Sequence, residues 1–256
     1  MSRADAVAPN ALLGGKLLLR QPETGHRVGT DAILLAAAAP PGRRAVVDLG
    51  CGVGAVGLAV ARAHPESRVL LVDNDDRALA LARDNIMLNG LEGRVSALRA
   101  DALAPAAERR AAGLAPASAD LALTNPPFGA AERMRASPDP ARAAAHVMPA
   151  GGLARWLACA ADLLGPKGVL VLIHRADALA EILAAMGERL GSVAVTPVHP
   201  RADAPATRIL LRATKGGKAP LALLPALVLH GPDGRFTPEA EAIHRGEAML
   251  ACAGVQ

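Results

Sequence analysis

Short solid apolar runs alternate along this chain with longer stretches in which apolar residues recur at helical spacing. Ala45-Val46-Val47-Asp48-Leu49 and Arg68-Val69-Leu70-Leu71-Val72-Asp73 are apolar at consecutive positions rather than at every second one. That is the pattern of strands covered on both faces. Each is followed by a turn and a helix-length segment, about 54–64 after the first and about 75–89 after the second. Val95 to Ala100 predicts a weaker third strand, Asp120 to Thr124 a fourth and Gly168 to His174 a fifth. Helices are expected within about 151–164 and over 177–190, while Pro105 to Ser118 reads as a loop. Runs near Val193 to Val198, Thr207 to Arg212 and Leu223 to His230 read as late strands. Upstream, Lys16 to Gln21 reads as a short strand. Thr30 or Asp31 is expected to cap a helix through Ala39, which Pro40-Pro41-Gly42 stops.

Strands alternating with helices of this length predict an α/β fold, doubly wound, with a mostly parallel sheet and right-handed crossovers. No repeat, low-complexity tract or linker divides the chain, so one domain is expected over 1–256, with 1–42 as a lead-in and 43–256 as the core. Aromatic residues are scarce, with two Phe, no Tyr and one Trp, so the core must be built from Leu, Val, Ile and Ala. The formal net charge of +4 is compatible with a nucleic-acid partner without requiring one. Cys51, Cys159 and Cys252 form no Cys-x-x-Cys pair, which argues against a disulfide framework or zinc site and for a reducing cytoplasm. The seven histidines sit apart from Cys and carboxylates at metal spacing, so no metal is expected. Met1 to Gly15 lacks a signal-peptide layout, and no apolar run reaches membrane-spanning length.

Two stretches carry candidate chemistry. Asp48-Leu49-Gly50-Cys51-Gly52-Val53-Gly54 lies between a buried strand and a helix, the setting of a nucleotide-binding loop. Gly50 would allow the tight turn, Gly52 the approach of a ligand to the backbone, and Gly54 close packing of helix on strand. Asp73 at the end of the second strand suits ribose hydroxyls, and Asp101 after the third could reach an adenine amino group. Equally, Asp48 could cap the loop, Asp73 could open the next turn and Asp101 could be a solvated turn residue. Cys51 reads as a small filler of the loop. The second stretch is Asn125-Pro126-Pro127-Phe128, directly after the fourth strand. Two prolines fix φ and remove two backbone donors. The corner then offers an amide oxygen, a carbonyl and an aromatic face to a planar group that bears an NH2.

Together these residues resemble the class I S-adenosylmethionine-dependent methyltransferases, which implies a Rossmann-like seven-stranded sheet with helices on both faces. The stretch from Gly25 to Ala36 and Leu229 to Thr237 is similar to the bacterial family that methylates the N6 amine of an anticodon-loop adenine in valine tRNA. The resemblance implies S-adenosylmethionine as cofactor, held by Thr30, Asp48, Gly50, Cys51, Gly52, Gly54, Asp73, Asn74, Asp101, Ala102 and Asn125. It implies tRNA as substrate, bound by Asn125, Pro126, Pro127, Phe128 and Arg133, with Asn125, Pro126 and Phe128 catalytic. Many relatives carry Tyr where this chain has Phe128, so stacking survives and a phenolic hydrogen bond does not. Arg135, Arg142 and His146, and also Lys16, Arg20, Arg27, Lys215 and Lys218, are candidate phosphate contacts. Trp156 reads as core. A release-factor glutamine, a ribosomal guanine N2 amine and a non-catalytic RNA-binding module are the alternatives. Only 47 residues precede Asp48, which counts against the glutamine substrate.

Overall fold

The computed structural model describes residues 9–22, 27–127 and 148–250. Its centre is a nine-stranded mixed sheet. Five parallel strands come first: β3 (Ala45–Leu49), β4 (Arg68–Asp73), β5 (Val95–Arg99), β6 (Ala119–Thr124) and β7 (Leu164–Arg175). The chain then adds β8 (Leu190–Arg201) and the antiparallel β9 (Arg208–Lys215), which inserts between β7 and β8. From one edge the order is β5-β4-β3-β6-β7-β9-β8, and the far side of β8 carries two short parallel pieces, β10 (Ala222–Leu223) and β11 (Leu227–His230). The seven strands expected are thus present in doubly wound order, with a broken edge strand beyond them. A separate hairpin, β1 (Asn10–Leu12) with β2 (Leu17–Leu19), precedes them.

Why both sheet faces read as apolar is visible within single strands. In β7, Val169, Val171 and Ile173 join one buried layer and Leu170 and Leu172 the other. The first layer is completed by α1 (Thr30–Ala37), α2 (Ala55–Ala63), α3 (Asp76–Leu88) and α7 (Pro238–His244), the second by α5 (Gly152–Leu163) and α6 (Leu179–Met186). Alternate side chains of a strand point to opposite faces, so a sheet sandwiched by helices needs apolar residues at both parities. Each fully buried Leu here contributes roughly 1.5–3 kcal/mol relative to exposure.

Four expectations need correction. Positions 105–118 are not all loop, since Ala106–Ala111 forms α4. The run from Leu223 to His230 is not one strand but the two pieces flanking Leu224-Pro225-Ala226. α1 ends at Ala37, before Pro40, and its cap is Gly29 with no side-chain cap bond, so neither Thr30 nor Asp31 caps it. Asp31 instead pairs its Oδ2 with Arg208 Nε at 2.9 Å, tying α1 to β9 across 177 positions. Phe128, Arg133, Arg135, Arg142 and His146, with Gly25 and His26, lie outside the described residues.

Candidate active site

In an open α/β sheet the carboxyl ends of the parallel strands face one crevice, and the loops there are bonded to one another. Gly50 and Cys51 both donate their N–H to the Val72 carbonyl, at 2.8 and 2.9 Å, and Ala100 N–H donates to the Asp73 carbonyl at 2.9 Å. Asp48 lies beneath the loop, 1% exposed, and its Oδ2 accepts from Gly57 N–H at 2.8 Å. Gly57 stands in the first turn of α2, so a carboxylate from the strand does for that helix what an N-cap residue does elsewhere. Burial pushes the Asp48 carboxyl up to about 7, the Gly57 hydrogen bond opposes the shift and repulsion from Asp73 adds to it. Burial, then repulsion from Asp48 and Asp73, raises the Cys51 thiol well above its usual range. A thiol so held is no nucleophile.

The glycines divide by what surrounds them. A Cβ on Gly50 would come within 2.8 Å of the Trp156 ring, and one on Gly54 within 2.8 Å of Leu71 Cδ1; a Cβ on Gly57 would overlap Leu71 as well. Those positions are filled by packing. At Gly52, with φ +54°, a Cβ would meet nothing within 4 Å, so this stretch of backbone faces open space in a conformation that favours glycine. Beside it, Asp73 Oδ2 accepts from Gly52 N–H at 2.8 Å and Oδ1 from Asp75 N–H at 3.0 Å. Asp75 in turn caps α3, accepting from Arg77 N–H at 2.8 Å. Asn74 is exposed and Ala102 buried. Asp101 is an exposed turn residue whose Oδ1 accepts from Leu103 N–H at 2.8 Å.

β6 pairs with β3, bringing Thr124 opposite Leu49, so the Asn125-Pro126-Pro127 corner leaves the sheet next to the glycine loop. The two are joined by a relay. Trp156 Nε1–H donates to Thr124 Oγ1 at 2.9 Å, and the Thr124 hydroxyl donates to the Leu49 carbonyl at 2.7 Å. Asn125 differs from its surroundings: its Oδ1 is buried yet has no hydrogen-bond partner among the described residues. A buried amide oxygen left unpaired costs about 1–3 kcal/mol, and such an orphan calls for an explanation.

Of the residues singled out in the sequence, the structure gathers Asp48, Gly50, Cys51, Gly52, Gly54, Asp73, Asn74, Asp101, Ala102, Asn125, Pro126 and Pro127 at the ends of β3 to β6. Thr30 opens α1, whose buried residues share a layer with Cys51 of the glycine loop. Trp156 is core, as its 9% exposure agrees, but it is also the brace between loop and corner, which sequence reasoning missed. A lone Trp in a chain nearly without aromatics was the available signal.

A family model described as methyltransferase small domain matches residues 27–197. The chain is 41% identical over 101 residues to ribosomal RNA large subunit methyltransferase G of Streptomyces avermitilis, a match covering 40% of this chain and 24% of that protein. The chain thus spans about a quarter of the length of the first such relative. It is 30% identical over 223 residues to tRNA1(Val) (adenine(37)-N6)-methyltransferase of Porphyromonas gingivalis, covering 83% of this chain and 85% of that protein. A solved structure described as a predicted O-methyltransferase from Agrobacterium tumefaciens superposes with a TM-score of 0.73 at 30% identity, covering 86% of this chain and 97% of that one. The chain belongs to the methyltransferase small domain family.

Proposed function

We propose that this protein transfers a methyl group from S-adenosylmethionine to the exocyclic amine of an adenine in tRNA. The observation that carries the reading is the buried Oδ1 of Asn125, unpartnered among the described residues, in an Asn-Pro-Pro corner beside the glycine loop. An acceptor kept out of water and left unbonded by the described residues suits an N–H of a ligand. Asn125 Oδ1 and the Pro126 carbonyl would accept the two amine hydrogens. Their pull turns a nitrogen conjugated with its ring toward tetrahedral geometry, with the lone pair aimed into the crevice. They also offset the positive charge that grows on the nitrogen, a preorganised electrostatic contribution. Phe128 would stack on the base and hold it out of its loop.

The residues present fit the donor. The open backbone face at Gly52 leaves room for it, and Asp73 is the candidate for the ribose hydroxyls, each carboxylate oxygen keeping a lone pair beyond its one amide bond. Asp101 is the candidate for the adenine amine, and Gly50, Cys51, Gly54, Asn74, Ala102 and Thr30 complete the expected cradle. When bound, S-adenosylmethionine supplies an electrophilic methyl on a sulfonium. No general base is required of the chain, because the methylated cation sheds its proton readily.

A relative that matches along 83% of the chain favours tRNA adenine, because shared length takes in more than the donor loop. The higher identity over 101 residues to a ribosomal RNA enzyme favours a ribosomal amine as the second reading. Unmodified total tRNA and ribosomal RNA, treated with enzyme and labelled cofactor and then digested for mass spectrometry, separate them. N6-methyladenosine in tRNA is the expected product, and label in ribosomal RNA would establish the second reading. Label found only in protein would overturn both, and no label anywhere would leave a non-catalytic binding module.

A further inference from the structure

The hairpin β1–β2 precedes the parallel core, and among the described residues its strand β2 pairs with another strand on one edge only. The other edge is closed by two side chains. Asn89 Oδ1 accepts from Leu18 N–H at 3.0 Å and its Nδ2 donates to the Leu18 carbonyl at 2.7 Å. Asn85 Oδ1 accepts from Arg20 N–H at 2.7 Å and its Nδ2 donates to the Arg20 carbonyl at 3.0 Å. Residues four apart on a helix are about 6 Å apart along its axis, and residues two apart on a strand about 6.6 Å. Two asparagines one turn apart, Asn85 in α3 and Asn89 at its C-cap, therefore match the spacing of Leu18 and Arg20 and complete the ladder as a third strand would.

Asn85 does one thing more. Its second Nδ2 hydrogen donates to the carbonyl of Val53 at 3.0 Å, inside the glycine loop between Gly52 and Gly54. The side chain is 0% exposed and all its donors are engaged. The link reaches the part of the loop that packing does not fill, since Gly52 faces open space whereas Gly50 and Gly54 are held by Trp156 and Leu71.

We propose that Asn85 is a positioning residue for the glycine loop: Arg20, directly after β2, holds Asn85, and Asn85 holds Val53 and with it the open face at Gly52. The hairpin is then coupled to the donor site through Arg20 and Asn85. The assignment rests on reading that crevice as a methyl-donor site. Asn89 makes the same bonds to β2 and none to the loop, which provides an internal control.

The test uses the full-length protein. Trp156, the single tryptophan, packs on Gly50 and reports titration with S-adenosylmethionine by its fluorescence. Asn85→Ala is expected to raise the dissociation constant, and the KM for the donor, about tenfold, the equivalent of one buried hydrogen bond. The kcat and the KM for RNA should stay near the wild-type values. Asn89→Ala, which also frees β2, should change the donor constant by less than about twofold. Amide exchange at Gly52 and Gly54 should quicken in Asn85→Ala and not in Asn89→Ala, with or without donor. In wild type, donor should slow exchange at Arg20 more than at Leu18; this arm needs no variant, and Asn85→Ser serves if the alanine variant folds poorly. Equal donor constants for the two alanine variants, or unchanged exchange at Gly52 and Gly54 in Asn85→Ala, would overturn the assignment. Failure of wild type to bind S-adenosylmethionine would overturn the proposed function instead, and the exchange at Gly52 and Gly54 without donor would still decide the role of Asn85.

Discussion

The two walls of the crevice, a donor wall and an acceptor wall in the proposed function, treat their polar atoms in opposite ways. On the donor wall each carboxylate already serves the chain: Asp48 holds Gly57, Asp73 holds Gly52 and Asp75, and Asp101 holds Leu103. On the acceptor wall Asn125 Oδ1 is buried and serves nothing among the described residues. The donor wall is therefore braced by the chain itself, while the acceptor wall keeps a buried oxygen that no described residue satisfies. In the proposed function, preorganisation in the first case and a ground-state cost in the second would be two ways of favouring the reacting complex.

The largest effect should come from breaking the acceptor wall. Asn125→Ala is expected to lower kcat about 100-fold, in line with losing one charge-stabilising contact. Its thermal midpoint should be unchanged or higher, because an unpaired buried oxygen is removed. A matching fall in midpoint and activity would show Asn125 to be structural. Asp48→Asn probes the donor wall. A carboxyl raised from an ordinary 3.8 to about 7 favours its protonated form in the folded state. Its stabilising contribution is complete below pH 3.8 and is lost as pH rises through about 7. The gap is worth roughly 4 kcal/mol at most. Urea midpoints of Asp48→Asn should accordingly lose this decline between pH 4 and 8; an identical slope in the variant would show that another group causes it.

A smaller effect is expected from the brace that joins the walls. Trp156→Phe deletes the Nε1–H bond to Thr124 and should cost about 1 kcal/mol. Thr124→Val, which removes the same bond and that to Leu49, should add less on top of it than it costs alone, since contacting residues are non-additive. Strict additivity of the urea-derived stabilities would dissolve the relay. The least change is expected at Cys51, which should resist iodoacetamide at pH 8 until the protein is unfolded. Rapid native alkylation, followed by mass spectrometry, would contradict its burial.

The donor wall was largely legible in the sequence, and much of the bracing was not. Ala45–Leu49 and Arg68–Asp73 are strands to the residue, because solid aliphatic runs bounded by turn residues admit few other structures. The glycine spacing located the loop, although Gly50 is needed as much for Trp156 as for the turn. α4 escaped because it is short, with no buried residue and so no apolar stripe. α7 went unforeseen although Thr237-Pro238 is a cap followed by proline at the first helical position, and Thr237 Oγ1 does accept from Ala240 N–H. The Asp31–Arg208 pair and the asparagine ladder of α3 join residues 177 and 65 to 71 positions apart. Local pattern carries no trace of such partners, and Asp31 looked like a cap because caps are local.

The broken strand at the far side of β8 also bears on how the protein behaves when crowded. A long open strand edge is a template for another chain's backbone and hence for aggregation. Here that edge is two pieces, Ala222–Leu223 and Leu227–His230, with Pro225 between them and Pro220 just before. Proline offers no N–H to an incoming strand, and two or four residues in a row are too few to seed a ladder. Leu223, at 70% exposure, can therefore sit on the sheet's outer margin with little risk of recruiting a second sheet, so the chain carries its own safeguard against edge-to-edge stacking.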